Sequence, residues 1–145
     1  DVDPVHAERL LDSLFRKRPE MQHLIGGIKR AAKTRGYLRG VDGRKLIPRS
    51  VHSSVNLLIQ AAGACVAKQA AVNMREYIID NKMGCLGVRI VGFIHDEILI
   101  EAPEHKAGQL LMAASRAFRE TTTQFDLRCP MDGEGEIGDT WYNVH

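Results

Sequence analysis

Three titratable residues in a row interrupt a stretch that is otherwise typical of a buried strand. In "RIVGFIHDEILIEA", residues 89–102, His95, Asp96 and Glu97 stand between two runs of large apolar residues. Burying unpaired charge is costly, so such a stretch requires either a solvated turn or a bound cation. If the two runs pair as a hairpin, His95 and Asp96 lie at its tip.

A carboxylate at the tip of a short hairpin has little freedom, which is what a metal ligand requires. Hard carboxylate oxygens favour Mg²⁺ or Mn²⁺ over zinc. Neighbouring residues of a strand point to opposite sides, so Asp96 is the stronger candidate ligand and Glu97 a supporting one. One alternative is a polar turn that binds no metal. Another is a small metal-dependent hydrolase, for which the remaining candidate ligands are Asp132, Glu134 and Glu136.

Three polar residues occur at helical spacing in a segment that is otherwise apolar or small. His52, Asn56 and Gln60 occupy positions i, i+4 and i+8. Each four-residue step turns a helix by only about 40°, so the three side chains project in similar directions. Every base pair presents hydrogen-bond acceptors in the minor groove. Short amide donors can therefore bind a correctly paired duplex there whatever its sequence. The alternative is a set of buried amides bonded to nearby backbone.

A basic segment, "DGRKLIPRS", precedes this stripe and contributes Arg44, Lys45 and Arg49. Such cations make phosphate contacts that give affinity rather than sequence specificity, although a solvated loop has the same composition. Residues 1–52 carry 12 Lys and Arg against 6 Asp and Glu, a net charge of +6, and residues 53–145 carry 8 against 12, a net charge of −4. This asymmetry suits a protein that holds a polyanion and a divalent cation.

The hydrophobic periodicity and the turn residues predict an α+β fold. Its small antiparallel sheet would consist of the hairpin around Asp96 and a C-terminal strand, packed against several helices that include one long helix. The predicted elements are helices over 4–17 and 21–33, a hairpin of 37–41 with 45–47, a long helix over about 53–81 closed by Gly84, strands over 88–94 and 97–100, a helix starting at Pro103, and a last strand within 125–138.

The composition is that of one compact unit, with 145 residues and an apolar fraction of 44%. A run of about 18 apolar residues is absent, so we expect no membrane span. The acidic, helical N-terminal pattern is not that of a signal peptide. Cys65, Cys85 and Cys129 are odd in number and lack C-x-x-C spacing, which favours reduced thiols in the cytoplasm.

Two long stretches resemble the DNA polymerase I family, family A. "GFIHDEILIE" resembles the third conserved polymerase motif of that family, and "RGYLRGVDGRKLIPRSVHSSVNLLIQAAGA" resembles the segment that runs from the fingers into the following helix. The ending "GEIGDTWYNVH" is similar to the phage replicative branch. The resemblance covers nearly the whole chain, and the order, spacing and flanks of the motifs agree together.

The resemblance implies roles for the residues singled out above. Asp96 would be one of two palm aspartates that bind the catalytic Mg²⁺ or Mn²⁺ ions, with Glu97 supporting it and His95 touching the primer terminus. The minor groove of the new duplex would be lined by Asn56 and Gln60. His52 would also contact the DNA, at a position where bacterial repair enzymes of the family usually have Arg and the phage branch tolerates His.

The resemblance also implies a partner and a location. Primer–template DNA would be bound, with deoxynucleoside triphosphates in the complete enzyme, during DNA replication in the cytoplasm of a bacterial host. Residues 1–36 would be the end of the fingers and residues 37–145 part of the palm.

The family requires a first motif, whose aspartate is the other metal ligand, and a fingers helix with Lys and Tyr or Phe that binds the incoming nucleotide, and the sequence contains neither. We therefore expect the isolated chain, as the C-terminal part of a polymerase, to be inactive until the remaining polymerase segment completes it. A rival from another class is a nucleic-acid-binding module without catalysis, in which Asp96 is a turn residue.

Overall fold

The computed structural model describes residues 3–144. In this range four α-helices and two antiparallel two-stranded sheets confirm the predicted α+β architecture. The elements are α1 Pro4–Lys17, α2 Pro19–Arg35, β1 Leu38–Arg39, β2 Lys45–Leu46, α3 Ser54–Asp80, a 3₁₀ turn Met83–Leu86, β3 Arg89–Ile94, β4 Glu97–Glu101, α4 Glu104–Gln124 and a second 3₁₀ turn Trp141–Val144. The chain divides into two compact units between Gln60 and Ala61, within α3.

The first unit consists of α1, α2, the β1–β2 hairpin and the start of α3. Its buried apolar residues are Ile28 and Ala32 on α2, Leu38 on β1 and Leu46 on β2. Leu38 and Leu46 are cross-strand partners, so the hairpin turns one face inward. The glycine after α2, Gly36, adopts the left-handed conformation at φ 73° and donates its N–H to Ala32 O, which ends the helix.

The second unit has its own core between α3 and α4. This core consists of Met74, Ile78, Met83, Val88, Leu110, Ala113 and Ala117. Ile90 of β3 and Ile100 of β4 pack against it, and the two residues are cross-strand partners. The β3–β4 hairpin is therefore anchored to the helices by one face near its base.

A buried amide connects the two helices of this unit. Asn73 on α3 is 6% exposed, and its Nδ2 donates to Ala117 O at 2.9 Å and to Gln124 Oε1 at 3.0 Å. Its Oδ1 accepts from Gln124 Nε2 and from Gln69 Nε2, both at 3.0 Å. Both donors and the acceptor of the amide are thus satisfied, which removes the penalty of burying it.

Helix α3 is long and apolar enough to cross a membrane, judged by length and composition alone. The core helix of a folded domain passes the same test. Of its apolar window 22% is buried, and Met74 and Ile78 pack in one cluster with residues of α4, where Asn73 is also bonded. Cys65, Cys85 and Cys129 form no disulfide with one another, and Cys65 is buried in α3 whereas Cys85 and Cys129 are exposed.

Two predicted details of the fold are wrong. Gly84 does not close α3, because it lies in the following 3₁₀ turn, and the left-handed residue after the helix is Lys82 at φ 52°. The predicted C-terminal strand does not form, since residues 125–140 adopt no regular structure. This segment contains Pro130 and several glycines, which are unfavourable in strands, and its polar groups bond to α4 instead of to a neighbouring strand.

The C-terminal segment is held on α4 chiefly through Asp132. The Arg119 guanidinium binds both carboxylate oxygens at 3.1 Å, and Ser115 Oγ donates to Oδ1 at 2.7 Å. A Cβ on Gly133 would lie 2.7 Å from the Phe118 ring, so this glycine allows the segment to lie directly on the helix. The hydrogen bonds from Ser115 and Arg119 lower the pKa of Asp132 from 3.8 to about 2.

This pKa predicts that docking of the C-terminal segment weakens in acid. A carboxyl whose pKa is lower in the folded state stabilises that state above its unfolded pKa, and the contribution is lost as the pH falls from about 4 towards 2. The stability difference between the wild-type chain and Asp132→Asn, measured by urea unfolding at a series of pH values, should shrink across this window. A difference that stays constant from pH 5 to pH 2 would contradict the role of the charge.

Candidate functional site

The β3–β4 hairpin places His95 and Asp96 in a two-residue loop. Ile94 pairs with Glu97, so the loop is as tight as a hairpin allows and Asp96 lies at its tip, as predicted. Both loop residues are exposed, whereas Glu97 begins β4 and is half-buried. A carboxylate carried on so short a loop is held by both strands at once.

His95 adopts a strained backbone conformation. Its φ is 55°, and Asp96 is not among the residues with positive φ. Glycine adopts a positive φ at no steric cost and is the residue ordinarily found at such positions of tight turns. A non-glycine residue in such a conformation costs about 1 kcal/mol or more. Glycine would relieve this strain, so the imidazole at position 95 is a candidate functional side chain.

A β-bulge lies below the tip. Ile90 pairs with Ile100 but Gly92 pairs with Leu99, so Val91 is an extra residue in β3. The bulge places Ile90 and Phe93 on the same face although they are three residues apart. A Cβ on Gly92 would lie 3.0 Å from Leu99 Cδ1, so a larger residue there would require the Leu99 side chain to shift. The bulge was not predicted from the sequence, although Gly92 inside a strand pattern is a known signal of one.

Asp96 forms no hydrogen bond or ion pair with the residues that the structure describes. A rigid, exposed and uncommitted carboxylate fits the hard-oxygen chemistry of Mg²⁺ or Mn²⁺ as one ligand. Among residues 3–144, however, no group of three or more His, Cys, Asp and Glu residues is placed to hold a metal ion. The described residues therefore contain no complete metal site of that kind.

The hydrolase alternative gains no support from the acids proposed to complete it. Asp132 is bound to Ser115, Arg119 and the Gly133 N–H on α4 and its flank, so its carboxylate is already used structurally. The other two acids, Glu134 and Glu136, are exposed in the same irregular segment.

The start of α3 lies after His52. Ser50 and Ser53 exchange hydrogen bonds between their side chains and backbone N–H groups, both at 3.2 Å, and Ser53 O accepts the first helical bond from Leu57 N. His52 therefore lies exposed in the preceding turn, and the prediction that it belongs to the helical stripe is wrong. The two serines stabilise a turn where periodicity alone suggested helix.

Asn56 and Gln60 do lie on α3, one helical turn apart, and both are exposed. Neither forms a hydrogen bond to another described residue. The alternative that they are buried amides bonded to nearby backbone is therefore wrong. Their donors and acceptors point to solvent, as an amide stripe for binding a ligand requires.

Five residues, 40–44, connect the strands of the basic hairpin β1–β2, and within them Gly43 has φ 79° and donates its N–H to Gly40 O at 3.0 Å. This geometry explains the "DG" turn signal. Arg44 forms an ion pair with Asp42, and Lys45 Nζ lies 4.8 Å from the centre of the Tyr37 ring. Arg49 is exposed after β2.

The structure thus groups the predicted site residues by unit. The first unit contains His52, Asn56 and Gln60 together with the basic residues Arg44, Lys45 and Arg49. The second contains His95, Asp96 and Glu97. The hairpin register adds Arg39, which is the cross-strand partner of Lys45 and which the sequence analysis did not select.

The chain resembles known polymerases along most of its length. The family model for DNA polymerase family A matches residues 1–143. A DNA-directed DNA polymerase from Enterobacteria phage T3 is 30% identical over 140 residues, 94% of this chain and 20% of the relative. The corresponding protein from Escherichia phage T7 is 29% identical over the same shares. DNA polymerase I from Chloroflexus aurantiacus is 26% identical, over 93% of this chain and 15% of its own length.

A solved structure shares the fold. The POL domain of Pol1 from M. smegmatis, in complex with DNA primer-template and dNTP, superimposes with a TM-score of 0.71 and 21% identity. The superposition covers 82% of this chain and 23% of that chain. This chain spans about a fifth of the length of the phage relatives that it matches. With a family match over residues 1–143, the chain belongs to DNA polymerase family A.

Proposed function

We propose that this chain supplies one metal-binding aspartate and a set of duplex contacts to the active site of a template-directed DNA polymerase that acts in DNA replication. The observation that carries the proposal is the exposed, uncommitted carboxylate of Asp96 at the tip of a two-residue hairpin, in a chain that belongs to family A. By itself the chain does not polymerise, and the remaining polymerase segment is its partner.

At the hairpin tip, Asp96 holds Mg²⁺ or Mn²⁺ and Glu97 supports it. Bound ions of this kind stabilise the attacking and leaving oxygens during phosphoryl transfer. His95 places its imidazole beside Asp96 and contacts the primer terminus. The tight loop orients these side chains before substrate binds, so little ordering remains to be done in the reaction.

In the first unit, Asn56 and Gln60 contact the minor groove of the new duplex and His52 lies near them. Arg44, Lys45 and Arg49 contact phosphates. The exposure of both amides on one face of α3 supports this assignment. Amide contacts with minor-groove acceptors favour a correctly paired duplex because every base pair presents such acceptors there.

The complete enzyme also binds deoxynucleoside triphosphates, and it acts in the cytoplasm of a bacterial host. Residues 1–36 form the end of the fingers and residues 37–145 part of the palm. The proposed subdomain boundary at residues 36 and 37 differs from the division at Gln60 and Ala61. The latter separates two compact units by their internal packing.

Binding of a fluorescent primer–template by the chain tests the duplex contacts. We expect weak, salt-sensitive binding that Asn56→Ala or Gln60→Ala each reduces about fivefold, the effect of one net hydrogen bond of about 1 kcal/mol. Gln22→Ala, an exposed amide on α2, is the matched control and should leave affinity unchanged. Primer extension by the chain alone, or amide variants that bind like the wild type, would contradict the proposal.

A further inference from the structure

The exposed face of the β1–β2 hairpin carries two facing cations. Arg39 and Lys45 are direct cross-strand partners there. Residues directly opposite on one face have Cβ atoms about 5 Å apart, and like charges in such a pair destabilise the hairpin. This sheet has only two residues in each strand, so it has few other contacts with which to offset that repulsion.

Each cation of the pair is held by its own contact. Arg39 Nη1 donates to Gly43 O at 3.0 Å, and Lys45 Nζ lies over the Tyr37 ring at 4.8 Å. Tyr37 precedes β1 by one residue, and its diagonal position relative to Lys45 places the ring on the same face. These contacts restrict both side chains without neutralising either charge.

The acid of this hairpin does not neutralise the pair. Asp42 is the one acid in residues 37–49. It is bonded to the Arg44 side chain and to Arg44 N, the latter at 3.2 Å. A Cβ on Gly40 would lie 2.9 Å from Asp42 Oδ1, so glycine at position 40 leaves room for this pair. Neither Arg39 nor Lys45 has an ion-pair partner within residues 3–144.

We propose that Arg39 and Lys45 together bind one phosphate group of a nucleic acid backbone, with Gly43 O and the Tyr37 ring as the groups that position them. A single anion between the two cations attracts both of them, and this attraction offsets their mutual repulsion. The inference rests on the proposed DNA-binding function and deepens it, because it adds Arg39 and assigns a shared phosphate to a pair of side chains. It distinguishes this pair from Arg44, which is engaged by Asp42.

A double-mutant cycle in primer–template binding tests the sharing. At low salt we expect Arg39→Gln and Lys45→Gln each to weaken binding about fivefold. The double variant should be less than about twofold weaker than either single variant, whereas contacts with separate phosphates predict losses that multiply to about 25-fold. Arg9→Gln removes one exposed charge from α1 and is the control, with no expected change.

An NMR titration with inorganic phosphate separates this inference from the proposed function. We expect shifts at the hairpin in the wild type that Arg39→Gln removes and Arg9→Gln retains. If phosphate binds there but primer–template does not, the proposed function fails and the paired site stands. The paired site would be overturned, even if DNA binds, by either of two results. One is losses of DNA affinity that multiply in the double variant, and the other is phosphate-induced NMR shifts that persist in Arg39→Gln.

Discussion

Replacing Asp96 by asparagine is expected to remove Mn²⁺ binding at the β3–β4 hairpin and to lower nucleotide incorporation by the completed polymerase more than about 100-fold. Loss of a group that only supports a metal ligand already costs about 10- to 100-fold, so loss of a ligand should cost more. Asparagine has nearly the same shape but lacks the charge that a hard cation requires. The loop itself should not change, because Asp96 has no hydrogen bond within residues 3–144 to lose.

Two measurements on matched variants separate a metal ligand from a turn residue. The first is Mn²⁺-induced broadening of hairpin NMR signals in the isolated chain, which needs no activity. The second is primer extension after the remaining polymerase segment of a phage relative is supplied. Asp80→Asn changes an exposed acid of the same unit at the end of α3 and should behave like the wild type in both. Equal broadening in wild type and Asp96→Asn would favour the non-catalytic nucleic-acid-binding module.

Replacing Asn73 by alanine is expected to destabilise the second unit by about 2–3 kcal/mol, the sum of lost hydrogen bonds and an unfilled space. Three of the four hydrogen bonds of its side chain, those to Gln124 and Ala117, connect α3 to α4, and the fourth is made with Gln69 on α3 itself. The core of the unit lies along the same two helices, so a weaker connection should lower the cooperativity of its unfolding.

Asn56→Ala is the matched control for this change because it removes the same amide from the same helix. Asn56 is exposed and has no partner among the described residues, so alanine should leave the free energy of unfolding within about 0.5 kcal/mol of the wild type. Chemical denaturation of both variants, beside their affinity for primer–template, should give opposite patterns. Asn73→Ala should lower the free energy of unfolding, whereas Asn56→Ala should lower the affinity for primer–template. Equal stability of the two variants would contradict the role of the buried network.

The elements that the sequence determined by itself are those specified by local chemistry. Helices α1 and α4 begin at prolines or directly after one, where a missing N–H costs nothing, and their positions match the prediction closely. The "DG" turn and the tight loop at His95 and Asp96 follow from residues adjacent in the chain. The family membership rests on the same local motifs in order, so it too was predictable.

Contacts between residues far apart in the sequence decided the rest. Asn73 resembles the amides of the exposed stripe until α4 supplies its partners 44 and 51 residues away. The segment around Asp132 forms no strand, and its polar groups are hydrogen-bonded to side chains of α4. The pairing of Arg39 with Lys45 depends on hairpin register. The periodicity of apolar residues shows which face of a segment is buried. It does not show which other segment packs against that face, and hydrogen-bond partners and neighbouring charges depend on that second segment.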